Sequence, residues 1–135
     1  MPLDEKILGF SNRWYKSAMD SAQEYEIERD IRIRVVTAPY FCATKLEAFR
    51  GRGKGDYLAS HDLEDLLTVV DGRPELLDEL QSASEGVRSY IAGAIGQILK
   101  SRQFIDALPG YLLPDTASQA RLSQLLARLT VISEL

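Results

Sequence analysis

Lys45 is the residue whose place in the sequence is hardest to explain by folding alone. On a helical wheel of roughly 100° per residue, the segment 38–50 forms one continuous apolar arc, and Lys45 lies inside it. One interpretation lays the lysine stem along the core while its ammonium reaches water. The other aims the ammonium into a cleft, where it binds a phosphate. The apolar arc consists of Phe41, Phe49, Cys42, Leu46 and Ala48.

A glycine-rich loop with two cations follows this helix. In residues 51–55, GRGKG, the glycines let backbone N–H groups converge on an anion, and Arg52 and Lys54 add positive charge. The loop lacks the G-x-x-x-x-G-K-[ST] spacing of a P-loop, and loops of this composition also serve as flexible, solvated connections. The pattern is therefore compatible with a phosphate site and with a plain connection. Arg50, on the polar side of the preceding helix, belongs to the same basic group.

Two aspartates stand near the start of the next predicted helix. Asp62 and Asp65 are three residues apart and share one face. Carboxylates in a first turn often complement the positive end of the helix dipole, which is the simplest explanation for them. Asp62 nevertheless projects between Leu66 and Val69, at the border of the buried face. We therefore expect Lys45 to point towards the start of this helix, with the glycine loop bordering a shallow groove between them.

The only histidine, His61, precedes these aspartates. At a helix N-terminus the dipole disfavours its protonated form. No serine or cysteine nucleophile motif accompanies it, so we interpret His61 as a structural or orienting residue. One histidine and one cysteine cannot supply the usual zinc ligand set, and we predict no metal ligand in this chain.

Composition narrows the class of protein. The 135 residues are 45% hydrophobic, enough for one core. A net charge of -4 argues against coating nucleic acid by bulk electrostatics. The single cysteine allows no internal disulfide, and no signal peptide or membrane-spanning run is apparent, so we expect a cytoplasmic protein that does not enter the membrane.

Periodicity predicts an α+β fold that is mostly helical, with a short strand pair followed by a helical bundle. The strands lie on either side of Asp30, with Tyr25, Ile27, Ile31, Ile33 and Val35 facing one way. Residues 1–10 lack a helical period and indicate a strand end or a linker. Helices are predicted from residue 11 or 12 to 21, then over 38–50, 61–72, 74–83, 84–103 and 122–132, with 109–115 as a loop. We interpret residues 1–135 as one domain, with sheet elements in 1–37 and the helical part in 38–135.

Residues 38–73 resemble a stretch of the AbiEii/AbiGii toxin-type nucleotidyltransferase family. The family pattern is a lysine helix of the form A-x-K-L-x-A, an arginine a few residues on, and then a basic residue followed by D-x-x-D. The matching positions here are Ala43, Lys45, Leu46, Ala48, Arg50, His61, Asp62 and Asp65. This chain departs from many relatives in having histidine rather than arginine at position 61, and in its longer glycine-rich insertion.

The resemblance implies transfer of a nucleotidyl group from a nucleoside triphosphate to RNA, protein or another hydroxyl, with magnesium held by paired carboxylates. By resemblance, Lys45 would contact the triphosphate and Asp62 would support the charge network of the active site. The family's G-S or G-G turn and its magnesium-binding D-x-D pair precede the lysine helix, and neither motif occurs in this chain. Residues 1–15 resemble the continuation after the strand that carries the family's further acidic residue. We therefore expect a late gene start or a natural remnant that is inactive by itself and carries no cofactor.

A non-catalytic helical interaction or dimerisation module is the alternative. Its leucine-rich last helix, residues 122–132, would pack on a partner or on a second copy. The unpaired edge of a two-stranded sheet also favours pairing with another chain, so a homodimer is expected under either hypothesis. The family resemblance adds a cognate antitoxin as a further partner.

Overall fold

The chain begins, as far as it is described, with a short helix and a β-hairpin, and the rest is helical. The computed structural model describes residues 12–53, 57 and 60–135. This order confirms the predicted α+β architecture. The elements are α1 (Tyr15–Ser21), β1 (Gln23–Glu28), β2 (Ile31–Val35), α2 (Ala38–Ala48), a π-helical turn (Phe49–Gly53), α3 (His61–Gly72), α4 (Leu76–Gln81), α5 (Glu85–Leu99), α6 (Arg102–Ala107), a 3-10 turn (Leu108–Tyr111), α7 (Thr116–Gln119) and α8 (Leu122–Ser133).

The two strands form an antiparallel hairpin on either side of Asp30, as their alternating pattern predicts. Tyr25 lies opposite Ile33, and Glu24 lies opposite Arg34. Asp30 has a φ of 66°, and its N–H donates to the Glu26 carboxylate at 3.2 Å. Aspartate tolerates this left-handed conformation better than most residues, and it closes the turn. All residues of both strands are exposed.

Helices α2 and α3 pack against each other and carry the residues singled out above. Pro39 stands in the first turn of α2, where its missing N–H costs nothing. Ser60 caps α3, because its hydroxyl accepts the Leu63 N–H at 3.2 Å. Both helix starts match the predicted ones. The first turn of α3 is therefore fixed in space by its cap and by α2.

The core lies between α2, α3, α5 and α8. Leu125, Leu129 and Ile132 of α8 are each at most 3% exposed. These three side chains therefore pack within their own chain. The alternative hypothesis had predicted instead that they pack on a partner or on a second copy. The side chains that are most deeply buried include Leu46, Leu63, Leu66, Leu80, Val87, Ile91, Ile95, Phe104 and Leu108.

Two helices, α5 and α6, replace the single helix predicted over 84–103. The predicted helix is interrupted at Ser101. The Ser101 hydroxyl accepts the Phe104 N–H at 3.4 Å and so caps a new helix. The redirected chain buries Phe104. The predicted loop over 109–115 begins within the 3-10 turn, and Asp115 caps α7. Across the described parts of the chain, no helix is long and apolar enough to span a bilayer.

Candidate functional site

The Lys45 side chain runs from α2 to the first turns of α3. Its Nζ lies 2.7 Å from Oδ2 of Asp65 and 3.8 Å from Oδ1 of Asp62. The first distance is a charge-assisted hydrogen bond, and the second is an ion pair without one. The structure thus confirms that Lys45 points towards the start of α3, and the three residues form the lysine–aspartate cluster.

Burial differs among the members of this cluster. The Asp62 side chain is 11% exposed, Lys45 26% and Asp65 48%. Asp62 therefore lies at the border of the core, as its wheel position predicts. Asp65 is the member that water reaches most easily, so it is also the one that can exchange its partner at the least cost.

Phe41 adds an aromatic face to the cluster. The Lys45 Nζ lies 5.5 Å from the centroid of its ring, within the range of a cation–π interaction. The helical wheel placed Phe41 in the apolar arc, with no role beyond the core. Its position four residues before Lys45 on one helix was the available signal, since such residues are neighbours on a helix surface.

The local sequence explains why the cluster is held in place. Burial of Cys42 and Leu46 fixes the rotation of α2 and brings Lys45 to its α3 side. The Ser60 cap sets the start of α3, so both aspartates emerge within its first turns. Negative charge is favourable there because the helix dipole places partial positive charge at that end.

The cluster presents one ammonium to an incoming anion. An ammonium has three N–H donors, and Asp65 occupies one of them. A phosphate that displaced the exposed Asp65 carboxylate would meet a cation still held near Asp62. Two carboxylates already lie near this ammonium, so an anion would compete for it with Asp65, the more exposed of the two.

The same geometry does not fit magnesium. Both carboxylates converge on the ammonium, whereas Mg²⁺ requires oxygen ligands arranged octahedrally around itself. Among residues 12–53, 57 and 60–135, no three His, Cys, Asp or Glu side chains come together. We therefore assign no metal-dependent step to these residues.

Of the other predicted site residues, His61 points away from the cluster. The His61 side chain is 93% exposed, and its Nδ1 lies 3.3 Å from Glu64 Oε2. Arg50, in the π-helical turn that follows α2, lies beside the Tyr90 hydroxyl. The Arg52 side chain and Lys54 fall outside the described parts of the chain, as does most of the glycine loop and the groove expected beside it.

Tyr90 forms a second polar cluster that the sequence analysis missed. Its hydroxyl donates a short hydrogen bond to Glu47, 43 residues earlier in the chain. Burial, and then this bond, raise the pKa of Tyr90 to about 12, while Arg50 opposes the shift. The sequence signal was the position of Glu47 and Arg50, three apart on the polar side of the helix predicted over 38–50. A groove of about 450 Å³ runs past Arg50 and Tyr90 between α2 and α5.

Neither family models, nor curated proteins, nor solved structures gave a match to this chain. What the protein does must therefore be inferred from its residues and their geometry.

Proposed function

We propose that the chain is a nucleotidyltransferase-like protein of AbiEii toxin type, in which Lys45 contacts the triphosphate of a nucleotide. The observation that supports this most directly is the placement of Lys45. A lysine from the apolar arc of α2 reaches the D-x-x-D segment of α3, which joins the two halves of the motif in space. By the same proposal the protein acts in the cytoplasm, with a cognate antitoxin as a partner.

Asp65 is the resting counterion in this proposal, and Asp62 is the positioning residue. The exposed Asp65 carboxylate holds the ammonium when no nucleotide is bound and leaves when a phosphate arrives. Asp62, at the edge of the core, keeps the Lys45 side chain directed at the start of α3. A surface ion pair contributes only about 0 to 1 kcal/mol, so a triphosphate competes with it readily.

The proposed role is nucleotide binding rather than transfer by this chain alone. Members of that family, by resemblance, hold magnesium on a D-x-D pair, and no such pair occurs in residues 1–135. The described residues present no alternative set of carboxylates to the metal. We expect the isolated protein to bind a nucleoside triphosphate weakly and to transfer no nucleotidyl group from it.

The test is calorimetric titration of the protein with ATP and with inorganic triphosphate, at low salt. We expect Lys45→Ala to weaken binding of both ligands by about tenfold or more, which corresponds to about 1.4 kcal/mol. Lys16→Ala is the matched control, because Lys16 also pairs with an aspartate, Asp20, at 2.8 Å but on an exposed surface. That control should bind like the unmodified protein.

Asp65→Asn separates a phosphate site from a purely structural ion pair. If Asp65 competes with phosphate for Lys45, removal of its charge should tighten triphosphate binding several-fold, because the ammonium no longer has to exchange a charged partner. Equal affinities in the Lys45→Ala, Asp65→Asn and unmodified proteins would refute the proposal. Circular dichroism would verify that each variant retains its helices.

The second candidate function is a non-catalytic interaction module. The β-hairpin favours it, since five large apolar side chains on its two strands are 41% to 58% exposed. Small soluble proteins rarely leave such a contiguous apolar surface in water. The two functions use different parts of the molecule and are compatible.

A further inference from the structure

The hairpin carries an apolar face that the described parts of the chain do not cover. Tyr25 is 51% exposed, Ile33 43% and Val35 41%. A groove of about 570 Å³ separates this face from Phe41 of α2 and Val69 of α3. A hairpin of two strands is marginally stable in water, and a third strand or close packing is what usually stabilises it.

The two edges of this sheet differ in regularity. β1 is interrupted between Glu26 and Glu28, where the pairing slips by one residue and leaves Ile27 without an opposite partner. Such bulges protect an edge from further pairing. β2 pairs continuously from Ile31 to Val35, and its only strand neighbour among the described residues is β1. The outer edge of β2 is therefore the better template for an added strand.

Charge divides the polar face of the hairpin between its strands. On this face β1 carries Glu24 and Glu26, and β2 carries Arg34 and Arg32 directly opposite them. Arg32 contacts Glu24 across the pair at 3.2 Å. Arg34 donates to the Met19 carbonyl at 2.9 Å. A strand added beside β2 would therefore lie next to arginines on one face and next to Ile31, Ile33 and Val35 on the other.

This charge division disfavours a second copy as the occupant of the edge. A two-fold pairing of β2 with itself would bring arginines together, and a pairing of β1 with itself would bring glutamates together. Like charges directly opposite each other destabilise a strand pair. Pairing of β1 with the β2 of another copy would match the charges, but this head-to-tail contact would form a ring or an open chain of copies rather than a two-fold dimer.

We propose that the outer edge of β2 is a docking site for an extended segment of a partner protein in which acidic and apolar residues alternate. The main-chain hydrogen bonds of the edge would supply affinity. The acidic side chains would contact Arg32 and Arg34, and the apolar ones would extend the face formed by Ile31, Ile33 and Val35. Period-two alternation is required because successive side chains of a strand point to opposite faces.

The test uses synthetic seven-residue peptides and the ¹⁵N-labelled full chain. One peptide alternates valine and glutamate, a second alternates valine and lysine, and a third has the composition of the first with its glutamates in one block. We expect the first to shift the backbone amides of residues 31–35 and to bind about fivefold or more tightly than the other two, since charge and periodicity must both match.

Charge reversal makes the result specific to the two arginines. Arg32→Glu/Arg34→Glu should invert the preference to the lysine peptide, and Arg32→Lys/Arg34→Lys should retain the original one. Because Arg34 also anchors the hairpin to α1, Arg32→Glu alone provides a variant that leaves this contact intact and should weaken the preference. Lys45→Ala should bind the peptides normally, so failure here is distinguishable from failure of nucleotide binding.

Three outcomes would overturn the proposal. Equal binding of all three peptides would indicate non-specific apolar adhesion. Amide shifts confined to Phe41 and Val69 would place the peptide in the groove rather than at the edge. Sedimentation of the protein alone as a dimer or a growing polymer, with protected β2 amides, would make a second copy the occupant.

Discussion

Cys42, on α2, is 1% exposed, and its thiol lies in the hydrophobic core of the protein. Burial raises its pKa from 9.0 to about 12, with a smaller contribution from Glu79. A thiolate is the nucleophilic form, so this cysteine cannot serve as a nucleophile near neutral pH. Its chemistry is that of a small apolar side chain.

A pH dependence of stability follows from this shift. The unfolded thiol ionises near pH 9 and the folded thiol near pH 12, so the contribution is full below pH 9 and is lost as the pH rises towards 12. By pH 10 the loss should be about 1 kcal/mol. We expect urea unfolding curves from pH 8 to pH 10 to show a smaller decline for Cys42→Ala than for the unmodified protein. Parallel declines would show that the thiol is not the source.

The direction of the Lys45 side chain could be predicted from the sequence, but its exact partner could not. Helical geometry places Lys45 on the buried side of α2, and the border position of Asp62 on the next helix indicated where its ammonium would find a partner. The choice of Asp65 as the closer carboxylate was not predictable, since it depends on how deeply α2 and α3 pack together. The bond from Tyr90 to Glu47 depends on the same tertiary packing.

At the scale of elements, α3 depends on its cap. Ser60 is 8% exposed and accepts the Leu63 N–H, so its hydroxyl satisfies a helix-end donor in a place where water has little access. Ser84 occupies the equivalent position before α5, but its side chain makes no capping bond. The two serines form a matched pair for measuring what the cap contributes.

Ser60→Ala should lower the free energy of unfolding by about 1 kcal/mol, whereas Ser84→Ala should change it by less than about 0.5 kcal/mol. Urea titration followed by circular dichroism measures both. A loss of equal size in the two variants would mean that serine contributes through helix propensity and not through the bond to Leu63.

The elements that alternation or capping specifies were predicted closely. The strand pair around Asp30 and the helix that begins at His61 both have local signals, namely period-two alternation and a serine cap. The break at Ser101 was missed because the apolar period continues across it. Ser101, three residues before Phe104, could have indicated a helix cap. This cap could not be chosen from the sequence, because it depends on a core that buries Phe104.

At the scale of the whole molecule, the chain divides into a helical core and a hairpin that contributes little to it. No strand residue is buried, whereas α3, α5 and α8 interdigitate through leucine and isoleucine side chains. Local opening is easiest where few apolar contacts hold an element. The hairpin should therefore open without disturbing the helices.

Amide hydrogen exchange measures this directly. We expect the amides of residues 23–35 to exchange about a hundredfold or more faster than those of Leu66 and Leu129, because their opening exposes almost no core. The alternating acidic peptide should slow exchange in residues 31–35 and leave the helices unaffected. Equal protection of hairpin and core in the free protein would indicate one cooperative unit and would weaken the case for an open edge.

Arg128 of α8 reaches across the molecule to the end of α3. Its guanidinium donates to the carbonyls of Val70 and Asp71, at 3.1 and 2.6 Å, where the helix has no intrahelical donors left. Arg121 also contacts the Asp71 carboxylate at 3.1 Å. The ribosome makes the aspartates of α3 long before these two arginines. These bonds span 58 and 57 residues of sequence, so during synthesis the last carbonyls of α3 gain their side-chain donor only after α8 has been translated.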